Sequence, residues 1–174
     1  MADFSNIYNT LKNLQRYIKH DVPEIIGTEA VNHFQESFQN EGFTDNSLKK
    51  WNKVKRRNSS SSWYGFKYGS KVRKPGRKQR RKGSITNFSP AATKRKILSG
   101  TGELRRSITY KKSGNRVIVY SDKDYAETQN KGGKIKIFGK SSRMLSKRQF
   151  IGKSRKLKRN IIKEINNDIT KILK

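Results

Sequence analysis

The chain of 174 residues is long enough for one domain with a hydrophobic core and too short for two large ones. With 42 Lys+Arg against 13 Asp+Glu, it carries a net charge of +29, which favours contact with a polyanion or an acidic partner. The absence of cysteine excludes disulfides, thiolate metal sites and cysteine nucleophiles.

Two amphipathic helices are predicted at the N-terminus. Apolar residues from Ile7 to Ile18 recur at three- and four-residue spacing, which predicts a helix over residues 4–18. A second helix is predicted from Asp21, a candidate N-cap, through Pro23 to about Gly42. The two form either a helical hairpin or one long helix bent at Pro23. Seven of the 13 acidic residues lie in this part of the chain: Asp3, Asp21, Glu24, Glu29, Glu36, Glu41 and Asp45.

Residues 46–100 are predicted to be a basic insertion, or arm. No acidic residue occurs between Asp45 and Glu103, and serines at 59–62 favour a loop or an extended segment. Its aromatic residues either stack on unpaired bases or pack onto the domain or a neighbouring subunit: Trp51, Trp63, Tyr64, Phe66 and Tyr68. The candidate contacts with a polyanion or partner are Lys53, Lys55, Arg56, Arg57, Lys71, Arg73, Lys74, Arg77, Lys78, Arg80, Arg81 and Lys82.

A period of two in the apolar residues predicts strands after Leu104. Residues 107–112 and 116–121, separated by a turn with the sequence KSGN, predict a β-hairpin. Residues 134–138, KIKIF, predict a third strand. Leu157, Ile161, Ile165 and Ile169 recur every four residues and predict a terminal helix over residues 153–174.

No catalytic or metal-binding pattern is found in the sequence. His20 and His33 have no cysteine or carboxylate cluster beside them and are interpreted as surface residues. The two Gly-Lys-Ser sequences lack the earlier glycine of a phosphate-binding loop. No apolar run approaches the ~20 residues of a membrane span, and no signal-peptide pattern is present. We therefore predict a soluble protein made in a cytoplasm, without enzymatic activity, cofactor or metal.

Three short motifs occur in order between residues 101 and 152, after a segment EGFTDNSLKKW. A TG-x-L-x-x-SI turn enters a strand, YA is followed by a Gln and a Gly-rich turn, and RQFIG precedes the terminal helix. In this succession the chain resembles the phage virion morphogenesis (tail completion) family. The matching residues are Trp51, Thr101, Gly102, Leu104, Ser107, Ile108, Tyr125, Ala126, Gln129, Gly132, Arg148, Phe150, Ile151 and Gly152. The chain differs in its densely basic linker and in having Thr128 and Gln129 where a histidine often follows YA.

The resemblance implies a structural virion protein acting in tail completion or head-to-tail joining. It implies a closed homo-oligomeric ring, a hexamer, at the neck or the head-proximal end of the tail, made in the host bacterial cytoplasm. The neighbours would be connector and tail-tube proteins, and the basic arm would reach another subunit, an acidic connector surface or double-stranded DNA. The alternative is a nucleic-acid-binding protein that uses the arm in DNA packaging or virion organisation.

The predicted architecture is a single α+β domain over residues 1–174. N-terminal helices occupy residues 1–45, the basic insertion 46–100, a β-rich core with a small, mostly antiparallel sheet 101–152, and the long C-terminal helix 153–174. The motif residues supply no nucleophile beside a base, and we expect them to build the scaffold.

Overall fold

The computed structural model describes residues 4–66, 88–114, 116–137 and 141–174. In these residues helices pack with small antiparallel sheets and a long C-terminal helix, which confirms the predicted α+β class. The elements in chain order are α1 (Phe4–Arg16), α2 (Val22–Asn40), β1 (Gly42–Thr44), β2 (Leu48–Lys50), α3 (Pro90–Lys94), α4 (Glu103–Arg106), β3 (Ile108–Ser113), β4 (Arg116–Ser121), α5 (Ala126–Lys131), β5 (Gly133–Ile137), β6 (Ser141–Leu145) and α6 (Arg155–Ile172).

The two N-terminal helices form one continuous helical segment. A π-helical turn, Tyr17–Asp21, joins α1 to α2, and the backbone N–H of Val22 donates to the carbonyl of Tyr17. The hairpin alternative is therefore wrong. Asp21 is also not an N-cap, because its backbone is helical and its side chain accepts no capping hydrogen bond. The wide turn lies directly before Pro23, whose missing N–H interrupts the regular bonding of the helix.

The core lies where α2 meets the β3–β4 hairpin and α6. Ala30, Phe34 and Phe38 project from one side of α2, as the helical spacing predicts, and Phe150 is fully buried against them. The remaining buried members of this cluster come from strands, loops and other helices along the chain: Phe43, Trp51, Ile97, Leu104, Ile108, Ala126 and Leu157.

His33 belongs to this interior as well. It is 7% exposed, its Nε2 lies 2.9 Å from the carbonyl oxygen of Thr44, and its ring meets Phe34 and Phe43 edge-on. The interpretation of His33 as a surface residue is therefore wrong. Its place on the apolar side of α2 and its hydrogen bond to a backbone carbonyl allow a polar ring to be buried.

The predicted basic insertion is folded at both of its described ends. β1 pairs with β2 in a short antiparallel hairpin, a 3₁₀ turn covers Lys55–Arg57, and α3 follows Ser89. The serines at 59–62, which favour a loop or an extended segment, lie in turns and a bend between the 3₁₀ turn and α3. The sequence pattern missed β1 and β2 because three-residue strands are too short to show a period.

The strands form three separate two-stranded antiparallel sheets. The β3–β4 hairpin confirms the prediction from the alternating residues around KSGN. The third predicted strand is present as β5, although Phe138 lies outside the described residues. It pairs with β6, which was not predicted, because the sequence of β6 has no alternating apolar pattern.

The C-terminal helix is confirmed and is positioned by its first turn. The Ser154 hydroxyl accepts from the N–H of Leu157 at 3.1 Å and donates to the Thr44 carbonyl at 2.9 Å. The backbone N–H groups of Arg155 and Lys156 donate to Asp45. These contacts fix the start of α6 beside the β1–β2 turn, so that its apolar side faces α2.

Candidate assembly and anion-binding surfaces

The motif residues of the RQFIG step form the centre of the scaffold. Phe150 is 0% exposed, and its ring centroid lies 5.1 Å from that of Phe38. Asn130 holds the backbone around it, accepting from the N–H groups of Phe150 at 2.7 Å and Ile151 at 3.0 Å and donating to the Ile151 carbonyl at 3.0 Å. Trp51 is buried in the same core and donates its Nε1–H to the Gln149 carbonyl at 2.8 Å. Because it is buried, Trp51 cannot stack on a base.

The TG turn positions the start of the hairpin. Gly102 has φ +78°, which favours glycine, and α4 begins directly after it. Leu104 and Ile108 enter the core. The Ser107 hydroxyl donates to the Leu104 carbonyl at 2.9 Å and lies 2.6 Å from the Ser121 hydroxyl, with no base among its partners. The motif therefore performs a structural task here.

The YA motif lies at the start of α5, which packs against residues 145–148, the segment that leads to Phe150. Ala126 is buried and Tyr125 is 45% exposed. The Gln129 carbonyl accepts from the N–H of Arg148 at 3.0 Å. At Gly132, φ is +73°, and a β-carbon would lie 2.7 Å from the backbone nitrogen of Lys147. Only glycine fits this close approach of two backbones.

A cleft of about 370 Å³ opens beside this segment of the chain. The sequence analysis did not predict it. Three acidic residues, Asp122, Asp124 and Glu127, line it together with Lys123 and Phe150. Among the residues that the structure describes, no group of three or more His, Cys, Asp or Glu residues is arranged to hold a metal ion. The signal in the sequence was the local cluster of acidic residues just before the YA motif.

Two of the predicted polyanion contacts, Arg56 and Arg57, make hydrogen bonds within the chain. Arg57 makes a bidentate ion pair with Glu41, at 2.7 and 2.8 Å. The hydrogen bond from Arg57 is the main reason why the pKa of the Glu41 carboxyl is lowered, and the N–H of Ile97 also donates to this carboxylate. Arg56 donates to the carbonyls of Ala92, Arg95 and Lys96. These two guanidinium groups connect the 3₁₀ turn to the segment around α3, and their contact with a polyanion or partner stays a prediction.

The other predicted cationic contacts divide into two groups. Lys53 and Lys55 are exposed, as a contact surface requires. The remaining candidates lie outside the described residues: Lys71, Arg73, Lys74, Arg77, Lys78, Arg80, Arg81 and Lys82.

The described aromatic residues of the insertion pack on one another. Trp63 meets Phe66 edge-on at a centroid distance of 5.1 Å, and Tyr64 lies 5.7 Å from Phe88. Phe66 and Phe88 also form an isolated antiparallel bridge. These contacts favour the hypothesis that the aromatics pack within the protein, and Tyr68 lies outside the described residues.

Two buried arginine Nε–H groups, those of Arg57 and Arg148, have no acceptor among the described residues. Arg148 is partly buried, and its Nε is a buried donor with no hydrogen-bond partner. Burial lowers the pKa of Arg148, and the positive charge of Arg143 lowers it further. The pKa of Arg56 is lowered by burial and then by the charges of Arg95, Arg57 and Arg148. The arginine cluster, defined as Arg56, Arg57, Arg95, Arg143 and Arg148, therefore concentrates positive charge, and among the ion pairs of the described residues only that of Arg57 with Glu41 involves one of its members.

The apolar side of α1 is exposed. No residue of α1 is buried, although its apolar residues keep the predicted helical spacing. Phe4 is 86% exposed, Tyr8 68% and Leu11 59%. Towards its C-terminal end this side borders a groove of about 850 Å³ lined mainly by Leu11, Leu14, Ile18, Val22, Ile26 and Val117. We call this surface, from Phe4 to Ile18 with its groove, the α1 face.

The described helices include none that is long and apolar enough to cross a membrane. Comparison of the chain with protein-family models, with curated proteins and with solved structures finds no match.

Proposed function

We propose that this chain is a structural virion protein of a tailed phage, acting in tail completion or head-to-tail joining. It assembles with itself into a closed ring, a hexamer, at the neck or the head-proximal end of the tail, between connector and tail-tube proteins. It has no enzymatic activity and uses no cofactor. The observation that carries the proposal is the exposed α1 face.

The α1 face is the kind of surface that requires a partner. Large contiguous apolar patches on soluble proteins mark interaction sites, and burying one Leu, Ile or Phe side chain contributes about 1.5–3 kcal/mol. Phe4, Ile7 and Leu11 all project from this one side of α1. A contact between this side and a different surface of the next copy is heterologous, and such contacts close into a ring when the rotation allows it.

The second surface for such a contact is the outer side of the β3–β4 hairpin. Ile118 is 41% exposed and Tyr120 40% exposed, and Lys111 lies over the Tyr120 ring at 5.7 Å from its centroid. In a two-stranded sheet both outer edges lack a neighbouring strand, which permits pairing with another chain.

The motif residues support a structural task. Leu104, Ile108, Ala126 and Phe150 are buried in the core, and Gly102 and Gly132 satisfy backbone requirements. The residues that match the family motifs therefore stabilise the fold, which is consistent with a protein whose role is assembly.

The test is the oligomeric state of Leu11→Glu against a matched control, Asn13→Glu. Both positions are exposed on α1, and both changes add one negative charge, but Asn13 lies on the polar side of the helix. Since α1 buries no residue, the monomer fold should survive both changes. Losing about 3 kcal/mol from each contact predicts an association constant about 100-fold lower for Leu11→Glu only.

Light scattering coupled to size-exclusion chromatography, and native mass spectrometry, measure this difference. A wild-type protein that stays monomeric at high concentration together with its connector and tail-tube partners would refute the proposal. So would a ring that forms equally well with Leu11→Glu.

A second candidate function is nucleic-acid binding through the basic insertion. The observation that favours it is the absence of any acidic residue between Asp45 and Glu103, together with the net charge of +29. If this second hypothesis is right, deletion of residues 71–82 should abolish DNA binding. If the first hypothesis is right, the same deletion should leave ring formation intact. Binding measured at several salt concentrations should show a steep dependence on salt.

A further inference from the structure

We propose that the arginine cluster is a built binding site for a phosphate-type oxyanion, with Arg148 as its central ligand. The site combines Arg56, Arg57 and Arg95 from the described ends of the basic insertion with Arg143 and Arg148 from beyond it, and it is separate from the α1 face. It stands whether or not the chain forms a ring.

The first step is that the described residues offer no acceptor to the Nε–H of Arg148. Its buried Nε–H has no partner, and the described residues place no carboxylate in contact with its guanidinium. A buried donor without a partner destabilises a fold, and a partly buried charge without a counter-charge does so more strongly. A side chain in this condition gains most from a ligand that brings both an acceptor and a negative charge.

The second step is that Arg148 is held in place before any ligand arrives. Its own N–H donates to Gln129 at 3.0 Å, and the following residues are fixed by Asn130 at Phe150 and Ile151. Trp51 donates to the carbonyl of the neighbouring Gln149. A backbone fixed on both sides reduces the entropy lost on binding.

The third step concerns the surroundings of the guanidinium. Arg143 and Arg56 both lie within electrostatic range of Arg148, and Arg95 lies near Arg56. The nearby carboxylate, Glu41, is already engaged by two bonds from Arg57 and one from Ile97. Excess positive charge is therefore left at Arg148, and not at Arg57.

The fourth step selects the ligand. A guanidinium presents donors in a planar fork, which matches the oxygens of a phosphate in a bidentate arrangement. The positive charges of Arg143 and Arg56 near Arg148 favour an anion with more than one charge or with several oxygens. Free phosphate and the phosphodiester backbone of a nucleic acid share this chemistry, and both are sources to be separated by experiment.

The experiment compares inorganic phosphate with chloride at equal ionic strength. The proteins are the wild type, Arg148→Gln, and the control Arg159→Gln, which removes the same charge from an exposed position on α6. At a phosphate concentration about five times the Kd for phosphate, the midpoint of thermal unfolding should rise by about 2–4 °C for the wild type and the control. Arg148→Gln should show no rise beyond that in chloride.

A direct measurement on the wild type keeps the test independent of any folding defect. The ¹⁵Nε–¹Hε resonance of Arg148 should move on addition of phosphate and saturate with the same Kd. Arg148→Lys, which keeps the charge but loses the fork, should bind phosphate at least about 10-fold more weakly.

A short DNA duplex distinguishes the two sources. A duplex that shifts the Arg148 resonance and displaces phosphate identifies the nucleic-acid backbone, and a duplex that leaves the resonance unchanged identifies free phosphate. Equal stabilisation of Arg148→Gln by phosphate, or no effect of phosphate on the wild type, overturns the proposal. Stabilisation by acetate or a polyglutamate peptide equal to that by phosphate also overturns it, in favour of an acidic protein partner.

Discussion

Replacing Glu41 by Gln removes the carboxylate that faces the arginine cluster. Glu41 follows α2 in a left-handed backbone conformation, with φ +50°, and its carbonyl accepts from the N–H of Trp51 at 2.7 Å. Its carboxylate accepts two bonds from Arg57, at 2.7 and 2.8 Å, and one from the N–H of Ile97 at 2.6 Å. The side chain thus joins α2, the 3₁₀ turn and the segment that follows α3.

The expected loss can be worked out from these contacts. Glutamine keeps one oxygen that can accept, so the change removes the negative charge and about one of the charge-assisted bonds. The side chains of Arg57 and Glu41 are 20% and 21% exposed, so water replaces only part of the lost interaction. We expect a loss of about 2–3 kcal/mol at neutral pH. In a chain of this size that lowers the unfolding midpoint by about 4–12 °C.

The pH dependence gives the sharper test. The folded-state pKa of Glu41 is lowered from the ordinary value of 4.5, so its contribution is complete above that value and is lost as the pH falls through the lower folded pKa. The difference in unfolding free energy between the wild type and Glu41→Gln should therefore shrink as the pH falls below 4.5 and through the lowered folded-state pKa.

Urea unfolding followed by circular dichroism at several pH values measures both effects. The matched control is Glu36→Gln, the same change at an exposed position of α2, which should stay within about 0.5 kcal/mol of the wild type. A Glu41→Gln protein as stable as this control at neutral pH would refute the reasoning. A difference that stays constant through the acid range would refute it too.

Three further substitutions test the scaffold by urea unfolding. Phe150→Ala should cost about 3–5 kcal/mol, because the ring is fully buried, and a cost below about 1 kcal/mol would contradict its central place. Gly132→Ala should cost more than about 1 kcal/mol, since its β-carbon would meet backbone atoms of Lys147, whereas Gly100→Ala, with nothing within 4 Å, should be nearly neutral. Asn130→Ala leaves the N–H groups around Phe150 without an acceptor and should cost about 2–4 kcal/mol, and Asn130→Asp, which keeps the acceptor, should cost less.

Part of the arginine cluster could be predicted from the sequence. The runs of Lys and Arg showed that cations are abundant between residues 46 and 100, and they included Arg56 and Arg57. They did not show that these two would find acceptors in the chain, nor that Arg148, which lies far along the sequence, would have none. A count of charges gives no information about which charges meet a partner after folding.

The sequence by itself determined the long helices α1, α2 and α6, the β3–β4 hairpin and the strand β5, because periods of 3.6 and 2 residues are local properties of the chain. The short helices α3, α4 and α5 were not predicted, since four to six residues are too few to show a helical period. It also determined which side of each helix is apolar. Only the tertiary structure decided whether that side is covered: the same kind of spacing buries Phe34 and Phe38 in α2 but leaves Phe4 and Leu11 of α1 in water. Burial depends on a second surface brought from elsewhere in the chain or from another chain, and periodicity within one segment carries no information about that surface.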